Sequence, residues 1–287
     1  MAKGIEIKRR IKSIKSILQM TKAMEMVSSI KMRKAKDKAV RSKNYVFESW
    51  RSALKLSTLP ENKNAIFFKE QENKKILALV ISSDKGLCGS YNSDVMREIL
   101  KFVKEEGVEN IDFVTLGAKG REFIRKIGGN IVADFPLYEN IRFSMASPIG
   151  LVGWDGFMNN KYGKYISIHT HFESVVSKGV TRLQILPLQR AVTDEQVDDQ
   201  NGTEYAFEPS RQEVLTEIAK QIVRALTYQV ILESEASEHA SRMVAMKNAS
   251  DSGEELKEDF EFTYNQLRQQ SITQELAEIS AGVNSMQ

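Results

Sequence analysis

The chain has 287 residues, 41% hydrophobic and 28% charged, a balance that excludes wholesale disorder. No apolar run approaches the roughly 18–20 residues of a membrane-spanning helix, and the basic start lacks the apolar core of a secretion signal. A single cysteine, Cys88, excludes an internal disulfide, and no Cys/His cluster has zinc-site spacing.

The first 43 residues carry fourteen Lys/Arg against Glu6, Glu25 and Asp37. Apolar residues recur at helical spacing through Ile7, Ile11, Ile14, Leu18 and Thr21. Glu25 and Ser28 interrupt this seam before Met32, Ala35 and Ala39. A second stripe of Met20, Met24 and Val27 lies beside it, so the apolar face is broad around 14–32. Small residues such as Ala23, Ser29 and Ala35 permit close approach of another helix.

All five prolines and thirteen of sixteen glycines lie between residues 60 and 209. Helix interiors exclude both, so the two ends are expected as long helices and the middle as shorter elements. Ile76–Ser82, Ile111–Leu116 and Asn130–Phe135 have strand character, separated by helical patterns over Asn92–Glu106 and Lys119–Ile127. That order predicts a small parallel sheet with right-handed crossovers. Residues 150–164, rich in glycine, fit no element, whereas Lys164–Val176 and Val180–Leu188 suggest an antiparallel hairpin around Ser177-Lys178-Gly179. Residues 189–205 are expected as a polar loop.

Ser210 with Glu213 forms a capping box for a helix from about 210 to 284. Its seam runs Leu215, Ile218, Ile222, Ala225, Gln229, Leu232, Ala236, His239, Met243 and Met246. The phase is expected to slip near Gly253 and resume at Leu256, Phe260, Thr263, Leu267, Gln270 and Gln274. Residues 208–287 hold seven Lys/Arg against fourteen Asp/Glu, complementary to the basic N-terminal end. Pairing of the two ends is expected, and antiparallel, because a parallel pair would require the middle domain to span the rod.

Chemical motifs are sparse. Ser82–Ser90 joins a strand to a helix, where α/β proteins bind ligands, but it is neither G-x-G-x-x-G nor a P-loop. Gly117-Ala118-Lys119-Gly120 could offer backbone amides to an anion, but turn glycines without a ligand fit better. Cys88 reads as a packed thiol. His169, His171 and Glu173 alternate along one strand face; metal ligation is conceivable and a solvated hairpin face fits better. No catalytic triad, carboxylate pair, metal or cofactor motif emerges. A nucleic-acid-binding coiled coil using residues 8–43 and a nucleotide-binding enzyme remain as alternatives.

Three stretches resemble one family. Met20–Ser29 with Lys31-Met32-Arg33-Lys34-Ala35, Ser83–Gly89, and Ser271–Ile279 with Ala281-Gly282 are similar to segments of the gamma subunits of F-type ATP synthases. The resemblance implies an α/β fold: a long antiparallel two-helix coiled coil from the N- and C-terminal helices plus a small Rossmann-like α/β middle domain. In that division residues 1–59 and 208–287 form one shaft and 74–190 the middle domain. The implied role is a non-catalytic rotor coupling proton flow through a membrane ring to ATP synthesis. Implied partners are the alpha and beta subunits, the epsilon subunit and the ring of c subunits. No cofactor and no nucleic acid are implied, and the membrane is met only through the complex, on its cytoplasmic face. By resemblance, Lys22, Met24 and Arg33 face acidic beta-subunit segments, Arg268, Gln269, Thr273 and Glu275 meet the catalytic ring, and Tyr205 and Glu208 lie near epsilon and the c ring.

Overall fold

The computed structural model describes residues 2–57, 65–69, 71–137, 140–174, 178–188 and 208–284. Its elements are α1 (Ala2–Ser57), β1 (Ile76–Ile81), α2 (Tyr91–Glu106), β2 (Ile111–Leu116), α3 (Ala118–Lys126), β3 (Asn130–Phe135), α4 (Phe143–Met158), β4 (Lys164–Phe172), β5 (Lys178–Leu186) and α5 (Arg211–Asn284). The expected polar loop at 189–205 lies outside the described residues. Two compact units result, one from residues 1–29 with 242–287 and one from 30–241.

In the larger unit, five strands form one sheet ordered β3-β2-β1-β4-β5. β1, β2, β3 and β4 pair in parallel, and β5 closes one edge antiparallel to β4. The sheet is therefore mixed. Every residue of β1 and β2 is buried, which is why both read as unbroken apolar runs rather than alternating ones. Lys178 and Gly179 are not turn residues, as the spacing suggested; they pair with Phe172 and His171 in the β4–β5 ladder.

The glycine-rich stretch without an assignment is helix α4 and the turn after it. Gly150, Gly153 and Gly156 recur every third residue and form a face without side chains. A Cβ on Gly153 would lie 2.4 Å from the Tyr165 ring, one on Gly156 2.5 Å from Tyr162, and one on Gly150 3.0 Å from the Arg224 backbone. The glycines thus let α4 press against β4 and α5, a reason that helix propensity alone conceals.

α1 and α5 run antiparallel within each unit. In the smaller one Lys15 meets Glu261 at 2.8 Å and Lys22 meets Glu254 at 4.0 Å, so rising numbers on one helix face falling numbers on the other. The larger unit repeats this sense, with the Gln221 side-chain amide donating to the Tyr45 hydroxyl at 3.2 Å. Thr21 and Ser28 stay in the buried seam despite their polarity. Ser28 donates to the Met24 carbonyl at 2.7 Å, and Ser250 donates to the Thr21 hydroxyl at 2.7 Å.

The expected phase slip near Gly253 does not occur. The inward positions of α5 continue by threes and fours through Met246, Ser250, Gly253, Lys257, Phe260, Tyr264, Leu267 and Ser271. Leu256 and Thr263, expected in the seam from their spacing, are exposed. Gly253 is itself a seam residue: a Cβ there would lie 2.8 Å from Leu18 Cδ2, so the missing side chain makes room for leucine. Lys257 covers the seam with its stem and pairs its ammonium with Glu254. In urea unfolding, Leu18→Ala is expected to cost about 2 kcal/mol or more, whereas Leu256→Ala should stay within about 0.5 kcal/mol. The reverse ranking would return Leu256 to the seam.

Candidate functional site

In doubly wound sheets ligands bind beyond the carboxyl ends of the strands, where the order reverses. Here β1 is that reversal point, with β2 on one side and β4 on the other. The loop after β1 is bound by its own residues. Asn92 donates from Nδ2 to Ser83 Oγ at 2.7 Å and to Cys88 Sγ at 3.3 Å, and Ser83 Oγ donates to the Lys85 carbonyl at 2.6 Å. Cys88 is buried in this network.

The amides after β2 are equally engaged. Ala118 N–H donates to the Asp84 carboxylate at 2.8 Å, Lys119 N–H to the Ser83 carbonyl at 3.1 Å, and Gly120 N–H to Ser82 Oγ at 2.7 Å. Gly117 has φ +101°, and a Cβ there would sit 2.2 Å from the Ser82 carbonyl oxygen. Asp84 thus supplies internally the anion that such a turn otherwise takes from a ligand.

The crevice between β1 and β4 is filled by α5. β1 pairs with β4 only as far as Val80 opposite Ile168, so Thr170 extends beyond its neighbour. α5 takes the vacated place: Thr170 N–H donates to Ser234 Oγ at 3.3 Å, and Ser237 Oγ donates to the Thr170 carbonyl at 3.2 Å. Ala236, Ala240 and Ser241 are buried nearby in sequence, and such small side chains allow the helix to sit close. Tyr91, the first residue of α2, is buried, and burial together with the charge of Glu238 pushes its hydroxyl well above the ordinary range.

The solvated hairpin face expected for His169, His171 and Glu173 fails at His169, whereas the His171 side chain stays 43% exposed. His169 is 2% exposed, with Nδ1 3.1 Å from Ser167 Oγ. Both rings turn to Glu233 of α5, with His171 Nδ1 at 2.6 Å and His169 Nε2 at 3.8 Å from its Oε2. Gln229 Nε2 donates to the other Glu233 oxygen at 2.8 Å. Burial alone would raise the Glu233 pKa, but these donors outweigh it and bring it down to about 2. Glu173, the third residue of the alternation, is exposed. Among the described residues no group of three or more His, Cys, Asp or Glu is placed to hold a metal.

The residues singled out by resemblance are not gathered into one pocket. Lys22 is exposed and loosely paired with Glu254, Met24 is half-buried, and Arg33 is exposed. Arg268, Gln269, Thr273 and Glu275 are all exposed on α5, where Ser271 donates to Glu275 at 3.4 Å. Glu208 is exposed just before α5, and Tyr205 lies outside the described residues. Glu233, Ser234 and Ser237 escaped the sequence reading. Their signal was the run Glu233-Ser234-Glu235-Ala236-Ser237-Glu238, too small and polar for a two-helix seam alone.

These features define an α/β domain carried between two long terminal helices, the second of which bonds to the sheet where such domains otherwise take a ligand. The profile of the ATP synthase family matches residues 3–286. The "ATP synthase gamma chain" of Chlorobaculum parvum is 32% identical over 98% of both chains. The chain belongs to this family, the ATP synthase gamma chains. In a central stalk and c-ring structure of the Tetrahymena thermophila mitochondrial ATP synthase, a chain matches with TM-score 0.62 and 26% identity, over 80% of this chain and 99% of that one. A chain of the Euglena gracilis mitochondrial enzyme shares the fold with TM-score 0.68 and 17% identity, over 99% of this chain and 95% of that one.

Glu233 tests the anchoring of α5. Its folded pKa is depressed from 4.5 to about 2, so its stabilisation is complete above the ordinary carboxylate range and disappears as pH falls toward 2. Glu233→Gln is expected to lower stability by about 1–3 kcal/mol at pH 7. The gap from wild type should narrow below pH 4, as followed by urea unfolding across pH.

Proposed function

We propose that this chain is the central rotor shaft of an F-type ATP synthase, with no catalytic site of its own. It couples proton flow through a membrane-embedded ring to ATP synthesis or hydrolysis in a surrounding ring of alpha and beta subunits. The observation that carries this reading is the near-complete match to gamma chains, and the likeness to a central-stalk chain supports it. The filled crevice agrees, because α5 occupies the position that a nucleotide-binding enzyme would leave for its ligand.

In this reading residues 1–59 and 208–287 act as one shaft and 74–190 as the domain at its foot. Epsilon and the c ring contact the foot near Tyr205 and Glu208, on the cytoplasmic face of the membrane. Lys22, Met24 and Arg33 face acidic beta-subunit segments. Exposed apolar residues on α1, including Met20, Val27 and Ile30, support such contacts. Rotation brings different faces of α1 and α5 to each catalytic subunit in turn, and each face favours a different conformation of that subunit.

Arg268, Gln269, Thr273 and Glu275 offer charged and polar groups without a tightly packed partner helix face. Charge-assisted hydrogen bonds contribute about 1.5–3 kcal/mol each, enough to favour one rotational state without locking it. Arg268→Ala combined with Gln269→Ala is expected to leave the chain folded, since both residues are exposed, and to lower multisite ATP turnover in the reconstituted alpha–beta ring. Normal turnover by that double variant would place the contact elsewhere on the helix.

A further inference from the structure

A cavity of about 460 Å³ opens in the larger unit where α1, α4 and α5 meet. Its origin lies in the seam. Ser42 of α1 and Ala225 of α5 are buried lining residues, and both are too small to fill the space that leucine or isoleucine occupies in a coiled coil. The volume falls within the range of small-molecule sites.

The walls are ordered. Phe143 and Tyr228 pack edge to face, with ring centroids 5.8 Å apart and planes at 89°, and give one aromatic side. Gln221 holds the Tyr45 hydroxyl at 3.2 Å on another. Two cations complete the lining. The Lys38 ammonium is fixed by Asn140 Oδ1 at 2.5 Å and the Ile141 carbonyl at 3.2 Å, and among the described residues these two hydrogen bonds engage two of its three donors. Arg41 is exposed, and its planar guanidinium suits a carboxylate, sulfonate or phosphate. Among the described residues no carboxylate lines the cavity. Glu235, whose charge acts on that of Lys38, is not part of the lining.

We propose that this cavity is a binding site for an amphipathic organic anion. Its apolar body lies over Ser42 and Ala225 against the Phe143–Tyr228 wall, and its acidic group pairs with Arg41 and the Lys38 ammonium.

The test uses the full isolated chain and the fluorescent anion anilinonaphthalene sulfonate. Saturable binding at one equivalent is expected. Arg41→Gln should weaken it about tenfold, the loss of one charge-assisted contact. The uncharged relative N-phenylnaphthylamine should bind at least about tenfold more weakly, by the same conversion. Ala225→Leu, which fills the cavity from α5, should abolish binding while the thermal unfolding midpoint is kept or raised. Ser42→Leu fills it from α1 and serves where the first variant does not fold. Undiminished binding in a folded cavity-filling variant, or equal affinity for the uncharged relative, would overturn the proposal.

Discussion

The main-chain groups of Thr170 set the terms for the larger unit. β4 continues for four residues past its last pairing with β1, and a strand end without its neighbour leaves an N–H and a C=O that must find partners once buried. In a nucleotide-binding domain the open crevice at this point receives a ligand. Here Ser234 and Ser237 of α5 satisfy both groups. Because the bonds go to backbone, the helix is fixed in depth and register against the sheet. Glu233, one residue earlier, adds a charged anchor through His171. The turn after β2 follows the same logic, with Asp84 occupying the amides that would cradle an anion.

Close approach is the second constraint, and it explains where the sequence is poor in side chains. α4 presents glycine to Tyr165, Tyr162 and the α5 backbone. In the smaller unit Gly253 accommodates Leu18, and Thr21 joins Ser250 by a hydroxyl pair in the middle of the seam. Such packing is dense but polar in part. The exposed ion pairs Lys15–Glu261 and Lys22–Glu254 add at most about 1 kcal/mol each; they fit the antiparallel direction rather than enforce it. At Ser42 and Ala225 the same small side chains leave a cavity instead of a contact.

These features suit a part that must be stiff inside and adaptable outside. Torque can be carried only by a helix that does not slide on its domain, and backbone hydrogen bonds between Thr170 and α5 resist sliding more specifically than apolar contact does. The outward faces are different in kind: methionines and aliphatic residues on α1, and amides with single charges on α5, are left exposed.

Much of this was written in the chain itself. The proline and glycine map separated two long helices from a middle domain, and the unbroken apolar runs located β1 and β2, because helix breakers and buried strands act through local chemistry. The terminal motifs supplied the family. Four matters depended on the tertiary structure. Leu256 looked like a seam residue and Gly253 like an interruption; only the facing Leu18 shows that the glycine belongs in the seam. The stretch over α4 gave no helix signal, since its glycines are set by what packs against them, the rings of Tyr165 and Tyr162 and the α5 backbone at Arg224, and not by helix periodicity. His169 looked solvated because strand alternation cannot reveal that Glu233 of α5 reaches both it and His171. And no local rule identifies Ser234 and Ser237 as the partners of Thr170, because that need arises only where one strand of the sheet ends before its neighbour.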